Sequence, residues 1–280
     1  MPELRTVVDQ RRITVAPGVE LAAREWGATS SAPTVVLVHG LASTSRLWDG
    51  VAARLAALGH RTVAVDLRGH GESAAPESGY DTSTAASDVV AVLDATGDEP
   101  VLLAGQSWGG NVVLQVAARR PDLVAGLALV DGGWIDLARR FDSWESALSL
   151  LTPPAIDGMD AAAFRAMVAG SLAGFPPGAV DAAASVVHEL PDGTIRRRLT
   201  VARHLTILRS MWEDDPTQWY PSVRSPTVLM PATIDDTLPD EVAAAALSIP
   251  RATVRPYPGA HHDLHLQRPD EVAADIRSLL

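Results

Sequence analysis

The chain has 280 residues, a hydrophobic content of 47% and a formal net charge of −11. That is enough apolar material for one large domain, or a core with an inserted subdomain, and it excludes a disordered or fibrous protein. The acidic balance argues against nucleic acid as a partner, and the absence of cysteine excludes disulfides, thiolate metal sites and a cysteine nucleophile. All 23 basic residues are arginine, which excludes a Schiff-base lysine and a Walker-type phosphate loop.

Residues Met1 to Gln10 carry neither a basic leader nor an apolar segment like that of a signal peptide, and no apolar run approaches the ~18 residues of a membrane span. A cytoplasmic protein without a membrane partner is the expectation. From residue 11 to 131, short Val- and Leu-rich runs alternate with longer alanine-rich stretches of helical period, the pattern of a largely parallel sheet. Strands are expected at Arg12 to Ala16, Glu20 to Trp26, Thr34 to His39, Thr62 to Asp66, Val101 to Gln106 and Gly126 to Asp131, the first two as an edge hairpin around Pro17 and Gly18. Helices are expected at Ser45 to Leu58, Ser83 to Ala95 and Trp108 to Arg119, placed as crossover connections require.

After Gly132 the alternation stops. Helical segments broken by Pro153-Pro154, Gly158, Pro176-Pro177 and Pro191-Asp192-Gly193 read as an inserted helical cap over 133–224, leaving 1–132 and 225–280 as the core. Arg196 to Arg198 read as a solvated helix face. Strand signals return at Pro226 to Met230 and Ala252 to Tyr257.

Chemistry enters at Gly105-Gln106-Ser107-Trp108-Gly109, set between an apolar strand and a helical run. This is a strand–turn–helix with Ser107 at its apex and glycines where side chains would collide. A serine nucleophile needs a histidine to take its proton and an acid to orient that histidine. In parallel sheets such groups gather beyond the carboxyl ends of the strands. Asp235 and Asp236 follow one strand end, and His261 and His262 follow another. The backbone amide of Trp108, next after the nucleophile, and that of Leu41, after His39-Gly40, are the expected oxyanion donors.

His39-Gly40, Asp66 to Ser73, the serine turn, the aspartate pair and Gly259-Ala260-His261-His262 occur in an order that resembles the α/β-hydrolase fold proteins of the capped, esterase and haloperoxidase-like kind. The resemblance implies an α/β fold: a mostly parallel eight-stranded sheet flanked by helices, with the helical cap inserted after strand 6. It selects Asp235, whose spacing to Pro239 matches the family, although Ala232 stands where glycine is usual and Asp236 stays an alternative. It selects His262 through Pro269, and it makes Asp66 to Ser73 a structural turn, so His70 and Glu72 are not expected to be catalytic. Ser107, Asp235 and His262 thus form the expected triad of a serine hydrolase acting on an ester, lactone or thioester of a hydrophobic small molecule, with Trp134, Leu238 and His261 beside the substrate and no metal or cofactor. The same triad serves cofactor-free haloperoxidase-like perhydrolases, C–C bond hydrolases and receptor-like relatives with little turnover.

Overall fold

A computed structural model describes residues 9–28, 32–97, 100–235 and 237–280. β1 (Asp9–Ala16) and β2 (Val19–Trp26) form the expected hairpin, turning at Gly18 with φ 73°. β1 is an edge strand whose exposed residues include Arg11 and Arg12, charges that discourage pairing with a second sheet. β3 (Val35–Val38) leads through a 3-10 turn at Ser45–Trp48, capped by the Thr44 hydroxyl, into α1 (Asp49–Ala57). The helix expected from Ser45 is therefore true α-helix only from Asp49.

β4 (Thr62–Val65) is followed by α2 (Thr82–Thr96), capped by the Asp81 carboxylate on the Thr84 amide, then β5 (Val101–Gln106), α3 (Trp108–Arg119) and β6 (Val124–Val130). Every residue of β3, β4 and β5 is buried. Continuous Val and Leu runs, without polar alternation, are what strands covered on both faces require.

Between β6 and the return of the sheet lie α4 (Leu137–Arg140), α5 (Trp144–Leu151), α6 (Ala161–Ser171), α7 (Ala179–Ala184), β7 (Val187–Glu189), β8 (Ile195–Arg197) and α8 (Val201–Glu213). The β7–β8 hairpin departs from the all-helical expectation. Its turn at Pro191 to Gly193 closes through Leu190 and Thr194, and Gly193 has φ 81°. Arg196 and Arg197 consequently lie on a strand rather than on a helix face, and Arg198 follows directly.

β9 (Thr227–Met230), β10 (Ala232–Thr233), α9 (Asp240–Ser248), β11 (Ala252–Val254), β12 (Tyr257–Pro258), α10 (Leu264–Gln267) and α11 (Pro269–Arg277) complete the chain. The run expected as one strand from Ala252 to Tyr257 divides at Pro256, which has no amide for a ladder. β11 pairs with β9, and β12 pairs with β10.

The eight-stranded sheet has the order β1-β2-β4-β3-β5-β6-β9-β11, parallel from β4 to β11. Successive strands leave β3 in opposite directions, so the chain reverses its winding between β3 and β5. The crevice at the carboxyl ends of these two strands is where such folds hold ligands. Two apolar clusters cover the faces: α2 and α3 supply Val89, Leu93, Val112 and Val116 to one, and α1 and α11 supply Val51, Leu55, Val272 and Ile276 to the other. Each such side chain, fully withdrawn from water, contributes about 1.5–3 kcal/mol. Among the described residues no helix is long and apolar enough to cross a membrane.

Candidate active site

β5 delivers Ser107 into a conformation that few residues adopt, with φ 53° and ψ −125°. The surroundings hold it there. Its amide donates to the Val130 carbonyl at 3.0 Å, and its carbonyl accepts the Gly110 amide at 2.9 Å. The glycines are demanded by contact. A Cβ at Gly105 would stand 2.2 Å from the Gly109 carbonyl oxygen, and one at Gly109 would stand 2.4 Å from that of His39. Strained non-glycine backbone of this kind costs about 1–3 kcal/mol and persists only where packing over-determines it.

The turn after β3 passes against the serine. A Cβ at Gly40 would lie 2.9 Å from that of Ser107. Two buried histidines fasten this turn. His39 donates from Nδ1 to the Gly40 carbonyl (2.7 Å) and accepts the Leu67 amide on Nε2 (3.0 Å), while His70 Nε2 accepts the Ala42 amide (3.3 Å). Burial holds both imidazoles below their ordinary pKa, so they are neutral and structural. The Leu41 amide between them, like the Trp108 amide at the first position of α3, donates to no described residue. Two N–H groups without an acceptor among the described residues therefore lie on the two turns that meet at Ser107. The Trp108 indole lies in the core, 1% exposed, and donates to Thr82 Oγ1 at 3.1 Å.

The Asp66 to Ser73 turn is held by its own hydrogen bonds, in keeping with the structural turn that the resemblance implies. Asp66 accepts the Ser45 amide at 2.7 Å and the Glu72 amide at 2.9 Å. Arg68 within the turn makes a buried two-point contact with Asp88 of α2, both at 2.6 Å. Removing one partner of such a pair costs about 3–5 kcal/mol.

His262 lies on the loop after β12, and Gln106 Nε2 donates to its carbonyl at 3.2 Å, which ties that loop to the serine turn. Its Nδ1 donates to Asp131 Oδ2 at 2.6 Å. This is not the acid that the spacing selects. Asp235 is exposed, and its Oδ1 accepts the Thr237 amide at 2.8 Å, a local turn that commits the carboxylate away from the histidine. Asp236 lies outside the described residues. Asp131 stands at the end of β6, beside the serine strand, with its own backbone at φ 43°. Its second oxygen accepts the Ala232 amide at 2.9 Å, so the carboxylate cannot rotate freely. Gly132 follows because a Cβ there would meet the Ser107 carbonyl oxygen at 2.1 Å. The sequence shows Asp131 only as an acid that closes a strand and is followed by Gly132-Gly133; its place beside the serine strand comes from the sheet order.

No hydrogen bond joins the Ser107 hydroxyl to His262 among the described residues. With Nδ1 engaged, Nε2 is the ring nitrogen of His262 without a partner among the described residues. Desolvation lowers the His262 pKa, but the hydrogen bond and charge of Asp131, aided by Asp263, outweigh it and raise it above 6.5. A raised pKa means that the protonated form is favoured in the fold. Its stability contribution is fully present below the unfolded pKa and is lost as pH rises through the folded one. For the base role proposed below, activity falls as pH drops, so the acid limb of kcat/KM is expected on the alkaline side of an ordinary histidine's. Asp131→Asn is expected to move that limb downward in a pH–rate profile, and an unmoved limb would detach Asp131 from His262.

The other expected site residues separate. His261 is exposed, its ring meeting Phe175 of the inserted segment edge-on at 5.4 Å. Leu238 is half-buried. Trp134, 3% exposed, is packed into the core with Ile135 and Leu137. Among the described residues no three His, Asp or Glu side chains gather as a metal site.

Residues 33–269 match the family model described as alpha/beta hydrolase fold. The chain belongs to the α/β-hydrolase fold family. Over 279 residues it is 26% identical to a non-heme haloperoxidase of Rhodococcus erythropolis, covering 96% of this chain and 98% of that one. A haloalkane dehalogenase of Mesorhizobium japonicum is 36% identical over 118 residues, 42% of this chain, and the match spans only 36% of the dehalogenase's length. Among solved structures, E-2-(acetamidomethylene)succinate hydrolase superposes with a TM-score of 0.80 at 25% identity, covering 98% of this α/β-hydrolase and 99% of that chain.

Proposed function

We propose that the protein is a serine hydrolase that cleaves an ester of a hydrophobic small molecule through an acyl-enzyme on Ser107. The observation that carries this reading is the strained Ser107 (φ 53°), at the meeting of two turns whose Leu41 and Trp108 amides have no acceptor among the described residues, together with a His262–Asp131 pair at 2.6 Å. His262 takes the hydroxyl proton as Ser107 attacks the carbonyl, and the Leu41 and Trp108 amides hold the developing oxyanion, each worth about 2.7–4 kcal/mol in comparable sites. Protonated His262, steadied by Asp131, returns the proton to the leaving alcohol; water then releases the acid by the same route reversed.

The inserted segment serves as a cap over this crevice. A cavity of about 110 Å³ lies between Ala42, Ser43 and His70 of the core and Ile156, Val186 and Leu199 of the cap, with Arg197 and Arg198 also on its wall and neither Ser107 nor His262 there. The apolar part of that wall is what supports a preference for a short apolar group. The test is a fluorophosphonate probe followed by peptide mass spectrometry: a single adduct on Ser107 is expected, and an adduct elsewhere overturns the assignment.

The full-length likeness to a non-heme haloperoxidase favours a second reading, in which hydrogen peroxide replaces water as acyl acceptor. Peracid formation in competition with hydrolysis distinguishes it.

A further inference from the structure

A cavity of about 400 Å³ opens between the β1–β2 hairpin, the loop after β3, the Asp66 to Ser73 turn and the inserted segment; neither Ser107 nor His262 is on its wall. Arg11, Arg12, Arg24, Arg46 and Arg198 border it, Arg11 paired with Glu25 at 3.6 Å. The neighbouring acids are committed. Both Asp66 oxygens accept backbone amides, Asp49 takes the two-point contact of Arg24 at 3.1 and 3.0 Å, and Glu72 pairs with Arg198 at 2.7 Å. Arg12 donates to the Glu72 backbone carbonyl rather than to a carboxylate, and Arg46 has no ion-pair partner among the described residues. Arg12 and Arg46 thus have no carboxylate within ion-pair distance among the described residues, and even with the Asp66 carboxylate on the same wall the arginines outnumber the acids around this cavity of a protein whose net charge is −11.

Ser45 stands at the edge of the wall with its hydroxyl sealed from the opening, so the polar side chains that reach the cavity from this side are the arginines. Beside it the Thr44 and Ser185 hydroxyls share a hydrogen bond of 2.6 Å, joining the loop after β3 to the inserted segment.

We propose that this cavity binds a small, multiply charged oxyanion, an organic polycarboxylate or a phosphate, held by Arg12 and Arg46. Guanidinium forks match such oxygens in two-point, charge-assisted contacts. Thr44 to Arg46 continue from the turn that carries the Leu41 amide, and Ser185 and Arg198 belong to the inserted segment, so the ligand fastens that segment to the core. The site is independent of the chemistry proposed for Ser107.

Isothermal titration calorimetry of the full chain with inorganic phosphate or citrate, at constant ionic strength and with chloride as control, tests it. Saturable binding of either anion is expected, unchanged in Ser107→Ala and weakened about tenfold or more in Arg46→Gln and Arg12→Gln, with far-UV circular dichroism preserved. Whether phosphate or citrate binds identifies the class. Should Arg12→Gln unfold, Arg46→Gln carries the comparison. Absence of saturable binding by both anions, equal heats from chloride, or affinity untouched by Arg46→Gln overturns the proposal.

Discussion

Ser107→Ala is expected to lower kcat for an activated ester by about 10⁶-fold, because the serine and histidine of such a site act as one unit. Alanine keeps the Cβ, so the strain at φ 53° is the same in both proteins and the comparison isolates the hydroxyl. Thermal unfolding should therefore shift little while turnover collapses. The Leu41 and Trp108 amides proposed to hold the oxyanion remain, so a residual rate above that in water is expected. Steady-state kinetics on p-nitrophenyl esters measure this directly. A loss smaller than tenfold would mean that another group performs the attack.

Asp131→Asn is expected to cost about 10⁴-fold in kcat, whereas Asp235→Asn changes it by less than about twofold. The reason lies in the two bonds of Asp131. Its Oδ1 accepts the Ala232 amide, so the asparagine oxygen takes that place and turns its NH₂ group toward His262. An N–H facing Nδ1 forces that nitrogen to accept, which puts the ring proton on Nε2, and Nε2 can then no longer take a proton from Ser107. Asp235 is exposed and accepts the Thr237 amide, so its replacement disturbs a surface turn only. Side-by-side kinetics of the two variants decide the matter, and the opposite ranking would restore Asp235 as the orienting acid.

The buried strands were legible because burial on both faces leaves a simple signature. Val101 to Gln106 and Thr62 to Val65 are continuous apolar runs, and the structure places strands there. The hairpin of Val187–Glu189 and Ile195–Arg197 was not legible. Three-residue strands carrying His188, Glu189, Arg196 and Arg197 show no period, and much of their support comes from outside the hairpin: Arg198 donates to the Ser185 and Gly71 carbonyls and pairs with Glu72. Trp134 misleads for a related reason. A large aromatic just past a strand end can turn to the crevice or to the core, and here the core takes it.

The serine turn, its glycines and the histidine loop could be read from sequence because their constraints are local: a strand, a tight reversal and a helix within a dozen residues. The acid could not. Asp131 and Asp235 both follow strands and both precede His262 in the chain, so order and spacing do not separate them. What separates them is strand order in the sheet. β6 lies directly beside β5, so Asp131 emerges next to Ser107 while Ala232 and Gln106 hold its carboxylate and the histidine loop in register. Local chain chemistry determined which residues are able to react, and long-range strand pairing decided which of them meet.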